Sequence, residues 1–334
     1  MHTLLIVHIG HRWPHYIKDC IHQARRINRE KDTEIVLIVN GCHYKEVEEL
    51  QMFYTFQPQY IEELPITQSH QDFMKHIGTV VDLSFRRKYW QYVFERFFIL
   101  EQYLLLTKKT NVYMIETDNL VYVPLCDVSK TESLFTQNLA LPFDSLERGY
   151  PSFMFFRNIE TVSKLNQYML VWLQRGLASD MEILGKYRKE FPEEVFSYPV
   201  LPSECNNPLK ARKSQVGHTA TEIEGAFLTD SRFPILFDAI VYGQAIGGID
   251  PCNTGGANTV GYINESALYT IHETKFQWQK QNNNWIPCAN SIPIVNLHIH
   301  SKALQCFLSD NPTIPDAKYN AKRLEMVLTA EFRE

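Results

Sequence analysis

Apolar residues along this chain recur with two different periods, and the alternation between them predicts strands interleaved with helices. Leu4 to Ile9 is a short β-favouring run. After Pro14, residues Ile17, Cys20, Ile21, Ala24 and Ile27 recur at helical spacing, with the proline where a helix can begin. Glu34 to Val39 is a second short run, closed by the turn signal Asn40-Gly41. Two strands joined by a helix predict a βαβ unit and a parallel sheet. Residues 42–80 show no clear period. From Tyr89 to Leu106 the chain is apolar almost all round a helix, which predicts burial on every side. Asn111 to Ile115 predicts a central strand that stops at Glu116-Thr117-Asp118-Asn119, and apolar residues resume at Leu120 to Val123.

The second half is less regular. Ser152 to Phe156 predicts a strand, Val162 to Leu173 a helix, and residues 176–190 a further helix opening near Asp180. Pro199, Pro202 and Pro208 mark a loop-rich region, and residues 247–261 are rich in glycine. Pro293 to His300 predicts a late strand with histidines at alternate positions.

Composition narrows the class. The 334 residues, 45% of them hydrophobic, suffice for one large domain or two intimate ones. A net charge of −5 argues against a nucleic-acid partner held by bulk phosphate attraction, while leaving room for a local basic pocket. No apolar stretch is long enough for a transmembrane segment. Thr3 to Val7 is too short for a secretory leader. Seven scattered cysteines without a CxxC pair predict free thiols and a cytoplasmic location.

Candidate chemistry sits at three places. Glu116 and Asp118 follow an apolar strand, where open α/β sheets gather ligands. Carboxylates at i and i+2 can hold one hard cation, or they can be solvated loop acids. On a strand, His298 and His300 would share one face, with Leu297 and Ile299 toward the core. Neutral imidazoles there can bind metal, and Lys302 can meet a phosphate; equally, this can be the polar face of an edge strand. Arg86, Arg87 and Lys88 can meet a pyrophosphate or form a solvated turn. Glu95 and Arg96, inside the apolar helix, read as paired structural charges. Asp180 is either a helix cap or a substrate contact. No P-loop or dinucleotide fingerprint is present.

Phe94 to Glu101 followed by Asn111 to Asp118 resembles the lead-in to the DxD motif of GT-A-fold glycosyltransferases. The segments Phe237-Asp238 to Gly247-Gly248-Ile249-Asp250-Pro251 and His298-Ile299-His300-Ser301-Lys302 extend the resemblance over roughly residues 3–305. It implies a GT-A-like fold, a Rossmann-like mostly parallel sheet flanked by helices, as a single large domain. Residues 1–125 would form the nucleotide-sugar-binding half, ending in the ExD motif. Residues 126–334 would bind the acceptor and complete the metal site. The implied ligands are Mn²⁺ or Mg²⁺, a UDP- or GDP-sugar donor and a glycan acceptor. By the resemblance Asp118 and His298 or His300 bind the metal, and Glu116 lies near the ribose or the metal. His8, Gly10 and Asn40 lie near base and ribose, and Arg86 and Lys302 near the diphosphate. An inverting enzyme also needs a base, for which Asp180, Asp238 and Asp250 are candidates. The chain departs from the family in having Glu116 where aspartate is usual. Other readings are a nucleotidyltransferase, whose basic glycine-rich loop is poorly matched by His8 to Trp13, and a non-catalytic carbohydrate-binding protein.

Overall fold

In the computed structural model, which describes residues 1–203, 233–254, 260–262, 267, 271 and 274–311, the opening pattern becomes a βαβ unit. Pro208, Cys205 and residues 255–259 of the glycine-rich stretch lie outside the described residues. Strand β1 (His2–Val7) leads through α1 (Ile17–Ile27) to β2 (Thr33–Val39), and the two strands pair in parallel, Leu4 opposite Ile35. The helix begins three residues after Pro14, whose carbonyl accepts the Ile17 N–H. The stretch without a clear period resolves into α2 (Tyr44–Gln51), β3 (Gln57–Tyr60) and α3 (Gln68–Val80). Strand β3 lies at the sheet's edge and is half-buried to exposed, so alternation is weak there.

The all-round apolar stretch is α4 (Tyr89–Thr107), packed on α3 and on α6 (Ile159–Gln174). It feeds β4 (Val112–Ile115), fully buried and paired in parallel with β1. Strands β6 (Leu139–Pro142), β7 (Phe153–Phe156) and β8 (Val195–Tyr198) complete a seven-stranded sheet in the order β3-β2-β1-β4-β7-β6-β8. Only β7 runs against the rest. Strands from both halves of the chain thus share one sheet and one core, and the fold is a single mostly parallel α/β domain. No described helix is long and apolar enough to cross a membrane. The six described cysteines are free thiols.

Smaller elements close the sheet's carboxyl edge. Strand β5 (Asn119–Val121), followed by the short helix α5 (Leu125–Val128), pairs antiparallel with β12 (Asn296–His298), and β9 (Phe276–Gln281), β10 (Asn284–Ala289) and β11 (Ile292–Pro293) form a separate meander. The late strand expected from Pro293 to His300 is therefore two short ones, and His300 lies beyond the second. The division follows from two backbone bonds that leave the strand: the Ile294 N–H bonds back to Pro287 and the Val295 N–H crosses to Leu236. Leu297 and Ile299 are fully buried, as alternation requires.

Just past the carboxyl end of β6 lies Asp144, fully buried, with Arg148 Nη1 3.5 Å away. Burial pushes its carboxyl from 3.8 up to about 6. A raised acid pKa in the folded state means that folding is favoured by protonation. The stability contributed below about pH 4 is then lost as pH rises through about 6, an effect of about 3 kcal/mol. Asp144→Asn should remove this loss and be the more stable protein at pH 7. Urea unfolding of both proteins at pH 4.5 and 7 checks it, and equal slopes with pH would refute it.

Candidate active site

Parallel strands β1 and β4 are neighbours, but their connections leave in opposite directions, to β2 on one side and toward β7 on the other. A crevice outside the carboxyl ends at such a switch point is where open α/β sheets bind ligands. Here it is a cavity of about 440 Å³ whose walls include His8, Tyr16, Arg86, Arg96, Glu116, Asp118, Asp180, His298, His300 and Lys302.

Glu116, Thr117 and Asp118 form the connection from β4 to β5, turned by a bond from the Asn119 N–H to the Glu116 carbonyl. Register then decides which late residue joins them. His298 stands opposite Asn119 across the β5–β12 pair, and the Ile299 N–H bonds the Asp118 carbonyl at 2.9 Å. His298 Nε2 consequently lies 3.0 Å from Asp118 Oδ2, and Nδ1 lies 3.4 Å from Glu116 Oε2. One ligand atom from each of Glu116, Asp118 and His298 falls within 4.8 Å of the others. Glu116 thus reaches the cluster despite its extra methylene.

Asp238 and Gly243 hold β12 in place from behind. The Asp238 carboxylate, fully buried, accepts the backbone N–H groups of Tyr242, Gly243 and His298 at 2.9, 2.9 and 3.0 Å. It therefore anchors the start of α8 (Val241–Gly247) to the His298 strand. Burial nevertheless pushes its pKa up to about 6. A Cβ on Gly243 would stand 2.0 Å from the His298 carbonyl oxygen, so only glycine permits this approach. Asp238 does not line the cavity.

Cations flank the acidic pair. Lys302 Nζ bonds Asp118, while Arg96 bonds Glu116 and reaches Asp180 Oδ2 at 2.6 Å. Burial disfavours a charged Asp118, but His298 and Lys302 outweigh it and hold the carboxyl well below its usual range. Burial likewise opposes protonation of His298, and Asp118 overcomes that and raises its pKa. At Asp180 burial wins and raises the pKa, with Arg96 acting against it. His300 differs from His298. Its Nδ1 accepts the Asp250 N–H at 3.2 Å, and burial, with Lys302 nearby, lowers its pKa to about 3. The neutral ring therefore carries its proton on Nε2, which suits it to donate to an oxygen rather than to ligate a metal.

The remaining expected positions spread around this centre. Arg86 lines the cavity but is bonded to Asp250 at 3.2 Å and Asn253 at 2.5 Å. Asp250 lies at that rim and also accepts the Cys252 N–H at 2.8 Å. His8 lines the cavity with Nε2 on the Arg12 carbonyl at 2.9 Å; burial, then His43, lowers its pKa to about 4. Gly10 and Asn40 bond each other, Gly10 N–H to Asn40 Oδ1 at 2.8 Å, behind the lining residues. Asp180 is the first residue of α7 (Asp180–Glu190), and Ser179 is the cap, accepting the Glu182 N–H.

The two charges inside α4 each find partners on other elements. Glu95 and Arg96 do not pair with each other. Adjacent helix positions face different ways, so Glu95 meets Gln91 and His70 beside α3 while Arg96 enters the cavity. A guanidinium inside an apolar helix requires buried anionic partners, and that requirement was the available signal. Tyr16, Tyr89 and Tyr150, also in the walls, carried no comparable signal.

No family model matches the chain, and no curated protein matches it. Among solved structures, it is similar to mouse xyloside xylosyltransferase 1 in its apo form: 10% identity, TM-score 0.42, over 70% of this chain and 95% of that one. It is similar to the galactosyltransferase LgtC with donor and acceptor sugar analogues at 11% identity and TM-score 0.42, over 59% and 73%. A third is core-mannan synthase A from Aspergillus fumigatus in its Mn/GDP form, at 6% identity and TM-score 0.41, over 59% and 72%. These neighbours are GT-A glycosyltransferases, each similar to this chain at a low level of overall superposition.

Proposed function

We propose that this chain is a metal-dependent glycosyltransferase, moving a sugar from a UDP- or GDP-sugar to a hydroxyl of a glycan or similar acceptor. The observation that carries the reading is the meeting of Glu116, Asp118 and His298 at the sheet's carboxyl edge, with Lys302 and Arg96 at their flanks. The set fits a divalent ion. Two carboxylates and one imidazole suit Mn²⁺ and, less closely, Mg²⁺. His298 Nδ1 is buried and makes no hydrogen bond among the described residues, with Glu116 Oε2 3.4 Å away, so an ion between them would satisfy both. When bound there, such an ion supplies charge neutralisation for a diphosphate leaving group.

The chain's own residues do the rest. Glu116, Asp118 and His298 hold the ion. Lys302, released from Asp118, meets the diphosphate as a point charge, with Arg86 at the rim. The Nε2–H of His300 donates to a phosphate or sugar oxygen. His8, with Gly10 and Asn40 behind it, forms the base and ribose side. Asp180 is the member of the three candidate aspartates that lines the cavity, so we assign it the contact with the transferred sugar. Asp238, with its oxygens taken by backbone amides, is assigned to positioning His298. In this reading residues 1–125 carry the donor, and the later half supplies His298 and the acceptor side.

Thermal unfolding with UDP, GDP and CTP, in Mn²⁺ and in EDTA, tests it. A nucleoside diphosphate should stabilise the protein only with metal, by about 2.7 kcal/mol at a hundred times its Kd. Equal stabilisation in EDTA would remove the metal from the site. Stabilisation by CTP alone would favour nucleotidyl transfer instead.

A further inference from the structure

A second cavity, of about 520 Å³, opens between the start of α1 and the end of α2. Its lining includes Trp13, Phe53 and Tyr54 with Lys18, Glu46 and Glu49. It shares a wall with the first. Within the segment 13–16, Trp13 faces the second cavity, while Pro14 and Tyr16 face the first. The Trp13 ring lies 6.2 Å from that of His8, which lines the first cavity.

We propose that this second cavity is a saccharide-binding subsite, separate from the donor site. Three observations converge on a neutral sugar. Phe53 is 75% exposed, and Trp13 and Tyr54, packed on the core at one side, are half-buried and contribute their remaining ring surface to the cavity wall. Lys18, Glu46 and Glu49 make no ion pair among the described residues and lie in the same walls. A pyranose matches this mixture: its C–H face lies on a ring, and its hydroxyls accept from an ammonium and donate to carboxylates. Charges of both signs around the rings oppose a polyanion, which would meet Glu46 and Glu49. The volume lies in the range of small-molecule sites. The site rests on the chemistry of its own walls and not on the function of the first cavity; that function only adds that a bound glycan would lie one wall away from transfer.

The test is saturation-transfer NMR and titration with cellotetraose, mannotetraose and N-acetylchitotetraose, without nucleotide and in EDTA. At least one should bind. Trp13→Ala and Tyr54→Ala should each weaken it tenfold or more. Glu49→Gln, an exposed change that leaves the packing alone, should weaken it measurably and so guards against unfolding as the explanation. Asp118→Ala should bind like the parent. Failure of all three sugars at millimolar concentration overturns the proposal. So does loss of binding in Asp118→Ala with retention in Trp13→Ala, which would put the sugar in the first cavity. Concentration-dependent dimerisation abolished by Phe53→Ser would instead make the face a contact between copies. Metal-dependent nucleotide binding, measured on the same samples, stands or falls separately.

Discussion

Asp118→Ala is expected to abolish Mn²⁺-dependent binding of UDP and GDP and to lower sugar transfer by about a hundredfold or more. The size follows from what the carboxylate does. It is the best buried of the acids in the cluster, and it alone contacts both His298 and Lys302. Its loss takes away a ligand and the group that aligns two others. The fold should survive: Lys302 is partly exposed and can turn to solvent, and His298 can become neutral. His298→Ala should reproduce most of the binding defect, whereas His300→Ala should leave metal affinity nearly intact and weaken nucleotide binding more modestly. Isothermal titration with Mn²⁺, and with UDP or GDP in Mn²⁺, measures all three. Should Asp118→Ala bind metal and nucleotide like the parent, the acidic cluster is only an ion-pair network and the proposed centre is wrong. Should His300→Ala lose metal while His298→Ala keeps it, the roles of the two rings are reversed.

The largest stability effect is expected at Arg96. Its side chain is 10% exposed and lies between Glu116 and Asp180, and Asp180 is 2% exposed. Removing one member of a buried ionic group leaves the others uncompensated, which costs about 3 to 5 kcal/mol. Arg96→Met keeps much of the volume and removes the charge, so it should lower stability by about that much in urea unfolding. The double variant Arg96→Met/Asp180→Asn should recover a substantial part, because one orphaned charge is gone with its partner. This non-additivity separates an electrostatic loss from a packing loss, since a packing defect would be unchanged by Asp180→Asn. A single-variant cost below about 1 kcal/mol would mean that water reaches Glu116 and Asp180 and that Arg96 contributes to binding alone.

Local pattern carried much of the architecture. The runs at Leu4 and Glu34, the helix between them and the apolar stretch before Asn111 lie close to the observed elements. These segments sit in the middle of the sheet or pack directly on it, so burial imposes a clean period on their side chains. Residues 42–80 lie toward the sheet's exposed edge, and there the period fades. Strand β3 is fixed by pairing with β2 rather than by its own composition, which includes Pro58 opposite Leu37. The late histidines show the same limit on a smaller scale. Alternation placed Leu297 and Ile299 inside, but two backbone hydrogen bonds to distant segments cut the strand in two.

What the sequence determined by itself was therefore the class of fold and a short set of candidate residues at strand ends: Glu116, Asp118, His298, His300 and Lys302. Burial period and residue type are properties of a short window. What only the tertiary structure decided was which of them meet. Asp118 and His298 are 180 positions apart and meet through the register of β5 on β12. A one-residue slip would turn His298 to the other face. Asp238 looked like a base, but folding gave its oxygens to three backbone amides. Arg96 looked like a structural charge, yet the fold set it between two acids of the cavity, Glu116 and Asp180. Contacts of this kind are fixed by pairings between distant segments, and no local window contains both partners.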